Sequence, residues 1–165
     1  SEQQLVSCDT AQDAGCNGGL MDNAFQYIAA NGLCLESDYP YASGSGRAPS
    51  CSSSCSKVAG TTGITYTDVS NSETALMAAV AQQPISVAVD ADSNWQLYKS
   101  GIMTAVSGTQ LDHGVLAVGY ASDFWKIKNS WGSSWGESGY IRIARSTQRN
   151  GPCGVTSAAS YPTLK

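Results

Sequence analysis

The chain contains a single histidine, and its neighbourhood is the place to look for chemistry. His113 stands in Leu111-Asp112-His113-Gly114-Val115, at the head of an apolar run, Val115 to Tyr120, with the signature of a buried strand. A second run, Phe124-Trp125-Lys126-Ile127-Lys128, alternates at period two and ends in Asn129-Ser130-Trp131-Gly132. If the two strands pair as a hairpin, Asn129 faces His113. A carboxamide beside an imidazole fixes its tautomer and ring plane, as an orienting group does in a nucleophile–base pair. From composition alone, a lone histidine is more often structural than catalytic. The Asn-Ser-Trp block beside it favours the chemical one.

The elements that must position this pair follow from the pattern. Leu20 to Asn31 predicts a helix, with Leu20, Ala24, Tyr27 and Ile28 at core spacing and Gly32 as its stop. Asn71-Ser72-Glu73 caps a second helix, Thr74 to Gln83, which Pro84 ends. Strands are expected over Val58–Asp68, Ile85–Val89, Gly139–Ala144 and within Ala158–Thr163. Leu5 to Asp9 is expected to run into a loop, and Trp95 to Tyr98 to form a short turn of helix or a loop. Gly15-Cys16-Asn17-Gly18-Gly19 is a turn. Its paired glycines serve either as a helix lead-in or as a place where another backbone comes close. Helices come early and most strands late, so the class is α+β.

Composition narrows the function. The 165 residues suit one domain or two small lobes. A net charge of −4 argues against nucleic acid or an anionic membrane as partner. No apolar run approaches the ~18 residues needed to span a bilayer. The six cysteines, Cys8, Cys16, Cys34, Cys51, Cys55 and Cys153, sit in a chain low in charge and rich in Ser and Gly. That suits disulfides in an oxidising compartment. Zinc is the rival reading at Cys51-x3-Cys55, but no second close pair completes four ligands.

Taken together, Cys16-Asn17-Gly18-Gly19-Leu20-Met21, Tyr39-Pro40-Tyr41, Leu111-Asp112-His113-Gly114-Val115, Lys128-Asn129-Ser130-Trp131-Gly132-x-x-Trp135-Gly136 and Cys153-Gly154 before Tyr161-Pro162 resemble the papain-like cysteine proteases, and among them the cathepsin L branch. The resemblance runs from Ser1 to Lys165. It implies a two-lobed α+β fold, with residues 1–60 the remainder of a helical left lobe and 61–165 an antiparallel, β-barrel-like right lobe. It implies peptide-bond hydrolysis through a thioester, without a cofactor or metal, on a peptide or protein substrate. A secreted, lysosomal or vacuolar location goes with it.

On matching positions, His113 would be the general base and acid, Asn129 its orienter and Trp131 the shield of their hydrogen bond and, in contact with substrate, the floor of the leaving-group side. Gly18 and Gly19 would lie beside an extended substrate. Met21, Ala88, Leu111 and Ala158 would wall the pocket for the second residue before the cut, which favours a bulky apolar side chain there. Met21 and Trp135 out of context suit core packing. Asp112 either holds nearby backbone or is solvated. For disulfides, the resemblance implies Cys8 pairing with Cys51 or Cys55, Cys51 being favoured, and then Cys34–Cys55. Cys16 and Cys153 are left over, because Ser107 stands where a partner for Cys153 would be.

The resemblance also exposes a departure. The family's nucleophile lies roughly 130–150 residues before its His and Asn. Counting from His113, that is some 20–40 residues upstream of Ser1. No cysteine in the chain has the expected Gly-Ser-Cys-Trp context. The 165 residues are therefore expected to be inactive alone, with an upstream segment or a partner chain covering the groove. The alternative is a non-catalytic papain-like structural or peptide-binding subunit.

Overall fold

The computed structural model describes residues 1–104, 108 and 110–164. Ser107, in the segment where the resemblance places a cysteine, lies outside the described residues. In chain order the elements are α1 (Glu2–Cys8), a 3-10 turn (Gly15–Asn17), α2 (Met21–Asn31), β1 (Thr65–Asp68), α3 (Glu73–Val80) and β2 (Ile85–Val89). Then come α4 (Ser93–Gln96), β3 (Ile102–Met103), β4 (His113–Tyr120), β5 (Phe124–Lys128), β6 (Tyr140–Ala144), a 3-10 turn (Pro152–Gly154) and β7 (Ala159–Thr163). The chain forms two compact units, Ser1–Thr67 with Pro162–Lys165, and Asp68–Tyr161.

The first unit is built on buried amides. The expected loop at Leu5–Asp9 is the end of helix α1, which starts at Glu2 and is capped by the Ser1 side chain. Gln3 and Gln4 on this helix are fully buried. Gln3 Nε2 donates to Ser7 and Ser43 Oγ, both at 2.8 Å, and its Oε1 accepts the Ala42 N–H at 2.7 Å. Gln4 Nε2 donates to the Gly32 carbonyl at 2.9 Å, and its Oε1 accepts the Cys34 N–H at 2.8 Å. Both carboxamides are thus satisfied on their oxygen and nitrogen, as burial requires. Disulfides Cys8–Cys51 and Cys34–Cys55 staple the Ser- and Gly-rich loop to this framework. Cys16 is free and exposed.

The expected strand over Val58–Asp68 shrinks to β1. Gly60 and Gly63 take φ of 80° and 76°, which breaks an extended chain, and Thr61 Oγ1 turns back to the Val58 carbonyl at 2.7 Å. Helix α2 begins at Met21, one residue later than expected, with no side-chain cap at Leu20. Asp13 supplies the missing acceptor from outside the helix: its Oδ1 receives the Leu20 N–H at 3.0 Å and Asn23 Nδ2 at 2.8 Å. A Cβ at Gly19 would collide with the Asp13 carboxylate and displace it from these two hydrogen bonds.

The second unit is a sheet with strands in the order β7, β2, β4, β5, β6, β3. All neighbours are antiparallel except β3 and β6. Period two decides the core. Ile85, Val87 and Val89 of β2, Val115 and Ala117 of β4, Trp125 and Ile127 of β5, and Ile141 and Ile143 of β6 all face one buried side. Leu76 and Val80 of α3 cover it, together with Trp95 of α4. A bulge between Ala117 and Gly119 shifts the β4–β5 register.

One polar cluster ties the segment after α4 to β6. Glu137 holds Arg142 through a two-pronged pair, 2.6 and 2.8 Å, and accepts the Gly101 N–H at 2.9 Å. Tyr98 Oη donates to the Gly101 carbonyl at 2.6 Å and accepts the Arg142 N–H at 3.3 Å. Hydrogen bonds from Arg142 and from the Gly101 backbone hold the Glu137 carboxyl down at about 2.

Two outcomes follow from these contacts. Asp13→Ala removes the oxygen at the start of α2 and lowers stability by about 1 kcal/mol, as other lost caps do, measured by urea unfolding; Asp13→Asn recovers part of it. A depressed folded-state pKa means Glu137 stabilises the fold at neutral pH and loses that contribution as pH falls from the ordinary carboxyl range toward about 2. The melting temperature of the parent chain therefore falls more steeply over that acidic range than that of Glu137→Gln, which has no carboxyl to titrate.

Candidate active site

His113 and Asn129 meet because two strands share a parity. Buried residues on β4 fall at Val115 and Ala117, and His113 lies two before them. On β5 they fall at Trp125 and Ile127, and Asn129 lies two beyond. Antiparallel pairing sets Leu116 opposite Lys128. Continuing that register puts Asn129 opposite Val115, with His113 as its diagonal neighbour on the same face. The result is a hydrogen bond between His113 Nε2 and Asn129 Oδ1 at 2.8 Å.

The direction of that bond is fixed by a third group. Asn129 Oδ1 also receives the Ser130 backbone N–H at 2.8 Å, which only a carbonyl oxygen can do. Asn129 is 8% exposed, so this orientation is held in a dry setting. The acceptor oxygen requires His113 Nε2 to donate, so in the neutral imidazole Nδ1 is the basic nitrogen. Among the described residues, the buried Asn129 Nδ2 has no hydrogen-bond partner. The carboxamide acts here through its oxygen.

Aromatic rings define the remaining walls. Trp131 stacks over His113 with centroids 4.9 Å apart and planes 24° from parallel. Trp131 meets Trp135 edge-on at 5.3 Å, and Trp135 stacks on Trp95 at 6.2 Å. Trp95 returns to His113 at right angles, 6.4 Å away. Trp131 is 38% exposed, so the stack has one side open to solvent. Such an arrangement leaves a base with a defined tautomer and ring plane and one nitrogen available for proton transfer.

The other expected site residues divide between the units. Ala88 on β2 lies opposite Gly114 and donates its N–H to the Ala158 carbonyl at 2.9 Å. The Asp112 N–H donates to the Val89 carbonyl at 3.0 Å, which brings Leu111 to the same end of β2. Ala88, Leu111 and Ala158 therefore gather in the second unit. Gly18, Gly19 and Met21 belong to the first unit, at the turn into α2; the space about Gly18 is open, and its φ of 100° favours glycine. Asp112 holds backbone: its Oδ1 accepts the Ala91 N–H at 2.9 Å.

Sequence patterns passed over Trp95. Its signal was the Asp92-Ser93-Asn94-Trp95 start of α4, where Asp92 Oδ1 caps the helix by accepting the Asn94 and Trp95 N–H groups at 2.8 and 3.3 Å.

Comparison with known proteins places this geometry in a family. The model of the papain family cysteine protease matches residues 1–163. Cysteine proteinase COT44 of Brassica napus is 51% identical over 98% of the chain, and the senescence-specific cysteine protease SAG39 of Oryza sativa subsp. indica is 50% identical over 99%. The chain spans about half the length of these relatives, 51% and 50%. Among solved structures, the Carica candamarcensis cysteine protease CMS1MS2 in complex with E-64 superposes with a TM-score of 0.90 at 42% identity, covering all of this chain and 77% of that one. The ragweed pollen allergen Amb a 11 cysteine protease, in its proform, gives 0.86 at 38% identity, covering all of this chain and 51% of that one. With its α+β elements and this matching fold, the chain belongs to the papain family of cysteine proteases.

Proposed function

We propose that this chain is the His/Asn-bearing part of a cysteine endopeptidase. One observation supports this above the others: His113 donates through Nε2 to a buried, doubly occupied carboxamide oxygen while Trp131 covers its ring. A structural histidine has no need of a fixed tautomer; a general base does. The nucleophile is a cysteine thiolate in a segment that precedes Ser1. Within the chain, Cys8, Cys34, Cys51 and Cys55 are in disulfides, Cys153 is buried, and Cys16, free among the described residues and exposed, stands in Gly15-Cys16-Asn17 and not in the Gly-Ser-Cys-Trp context of a nucleophile.

The reaction then runs as follows. The thiol gives its proton to His113 Nδ1, and the thiolate attacks the substrate carbonyl carbon. The tetrahedral intermediate collapses as imidazolium Nδ1 returns that proton to the leaving amine, and a thioester remains. Water, deprotonated by His113, attacks the thioester and releases the acid and the thiol. Asn129 holds the ring through both transfers and stabilises the imidazolium. Trp131 keeps water off the Asn129–His113 bond.

The substrate is an extended peptide. Gly18 and Gly19 offer it backbone hydrogen bonds at close approach, in the manner of an added strand. Ala88, Leu111 and Ala158 give the second unit an apolar, carboxylate-free wall for the residue two before the cut, and Met21 gives the first unit an apolar side chain at the start of α2. Bulky aliphatic or aromatic side chains are preferred there over basic ones. The protein works in a secreted, vacuolar or lysosomal setting. No described helix is long and apolar enough to cross a membrane.

The full-length protein, in reducing acidic buffer, is expected to react with an epoxide thiol reagent at a cysteine outside these 165 residues, while the 165-residue chain turns over no peptide amide. Absence of labelling in the full-length protein overturns the enzymatic reading in favour of a peptide-binding subunit. In the active full-length protein, Asn129→Ala lowers kcat/KM by about 10- to 100-fold, the worth of a hydrogen bond to a charged group. His113→Ala lowers it by about 100-fold or more, the scale of acid–base catalysis.

A further inference from the structure

Cys153 has no disulfide partner among the described residues, yet it is not idle. It is 1% exposed, and its Sγ accepts the Trp95 Nε1–H at 3.2 Å. Its backbone sits at φ 52°, ψ 23°, in the left-handed region that a residue with a Cβ adopts only when its surroundings impose it. The surroundings do so: the Asp90 N–H donates to the Cys153 carbonyl at 2.9 Å, tying the turn to the end of β2. Burial, more than the nearby Asp90 and Asp92, pushes the thiol pKa up, so the sulfur stays neutral.

The indole it holds is the inner neighbour of His113. Trp95 is fully buried, edge-on to His113 and stacked on Trp135. Trp125 and Trp135 provide the contrast. Their Nε1–H groups are also buried, and neither has an acceptor among the described residues. Trp95 alone of these three is pinned by a hydrogen bond. A ring packed only by dispersion can slide or tilt, whereas a ring held at its N–H has one placement.

We propose that Trp95, anchored by the Cys153 thiol, is a positioning residue for His113: it supports the imidazole from inside while Trp131 covers it from outside and Asn129 fixes its tautomer. This rests on the reading of His113 as general base. The lone thiol thus has a role as the acceptor that locks the buttress. With the anchor gone, the imidazole keeps its hydrogen bond to Asn129 and loses its defined distance from Trp131.

Because His113 is the only histidine, histidine-labelled 165-residue chain gives one set of imidazole resonances. Cys153→Ala is expected to weaken the cross-relaxation between the His113 and Trp131 ring protons and to displace the imidazole chemical shifts. Cys153→Ser, which restores an acceptor, recovers them. Trp125→Phe, a truncation of another buried indole, lowers the melting temperature and leaves the His113 signals in place. In full-length enzyme, Cys153→Ala lowers kcat by about 3- to 10-fold with KM unchanged, the scale of one aromatic contact.

Wild-type cross-relaxation and imidazole chemical shifts in Cys153→Ala, or an equal loss in Trp125→Phe, would overturn the proposal. Asn129→Ala keeps the two readings apart. If it moves the His113 signals and Cys153→Ala does not, the buttress fails and the base survives. If full-length protein resists the epoxide reagent, the base fails, whatever Trp95 does.

Discussion

A single carboxamide oxygen receives two N–H groups, and the orientation of the His113 imidazole depends on that fact. The Ser130 backbone N–H points Asn129 Oδ1 toward His113, and the oxygen then dictates which imidazole nitrogen bears the proton. Neither bond is strong in isolation. Both lie where water is scarce, and there an alternative orientation of the amide would set one N–H group against another. The cost of that alternative, more than the worth of the bond, keeps the imidazole in one tautomer.

Around this point the fold uses aromatic area where a larger protein would use depth. Trp95, Trp131 and Trp135 touch one another or His113 at centroid distances between 4.9 and 6.4 Å. Tyr98 continues the cluster against Trp135 at 5.6 Å. The cluster of Glu137, Arg142 and Gly101 then fastens Tyr98 to β6. Rigid rings with few torsions lose little entropy on ordering, so they suit the margin where the buried core, through Trp95, meets the solvent-facing His113 and Trp131.

The first unit solves a different problem. It contributes little apolar area, and its helix α1 buries two glutamines where leucines would be usual. Each amide bridges strandless segments through oxygen and nitrogen together, and two disulfides close the loop that follows. Composition hints at the disulfides. It hides the helix, since Gln3 and Gln4 look like surface residues until their partners at Gly32, Cys34, Ala42 and Ser43 are brought in from thirty or forty positions away.

What the sequence determined by itself was local and periodic. The alternation in Ile85–Val89, Val115–Tyr120 and Phe124–Lys128 set the strands, because one buried face demands period two. The same parity, extended by two residues, put His113 and Asn129 on one face, and their motifs were enough to indicate the family. What only the tertiary structure decided involved partners distant in sequence. Asp13 as the acceptor for α2, the glycine breaks that shorten β1, and the Cys153 acceptor for Trp95 leave no periodic trace. Each is a hydrogen bond or a steric limit between segments, and such terms have a value only after the chain has brought the two groups together.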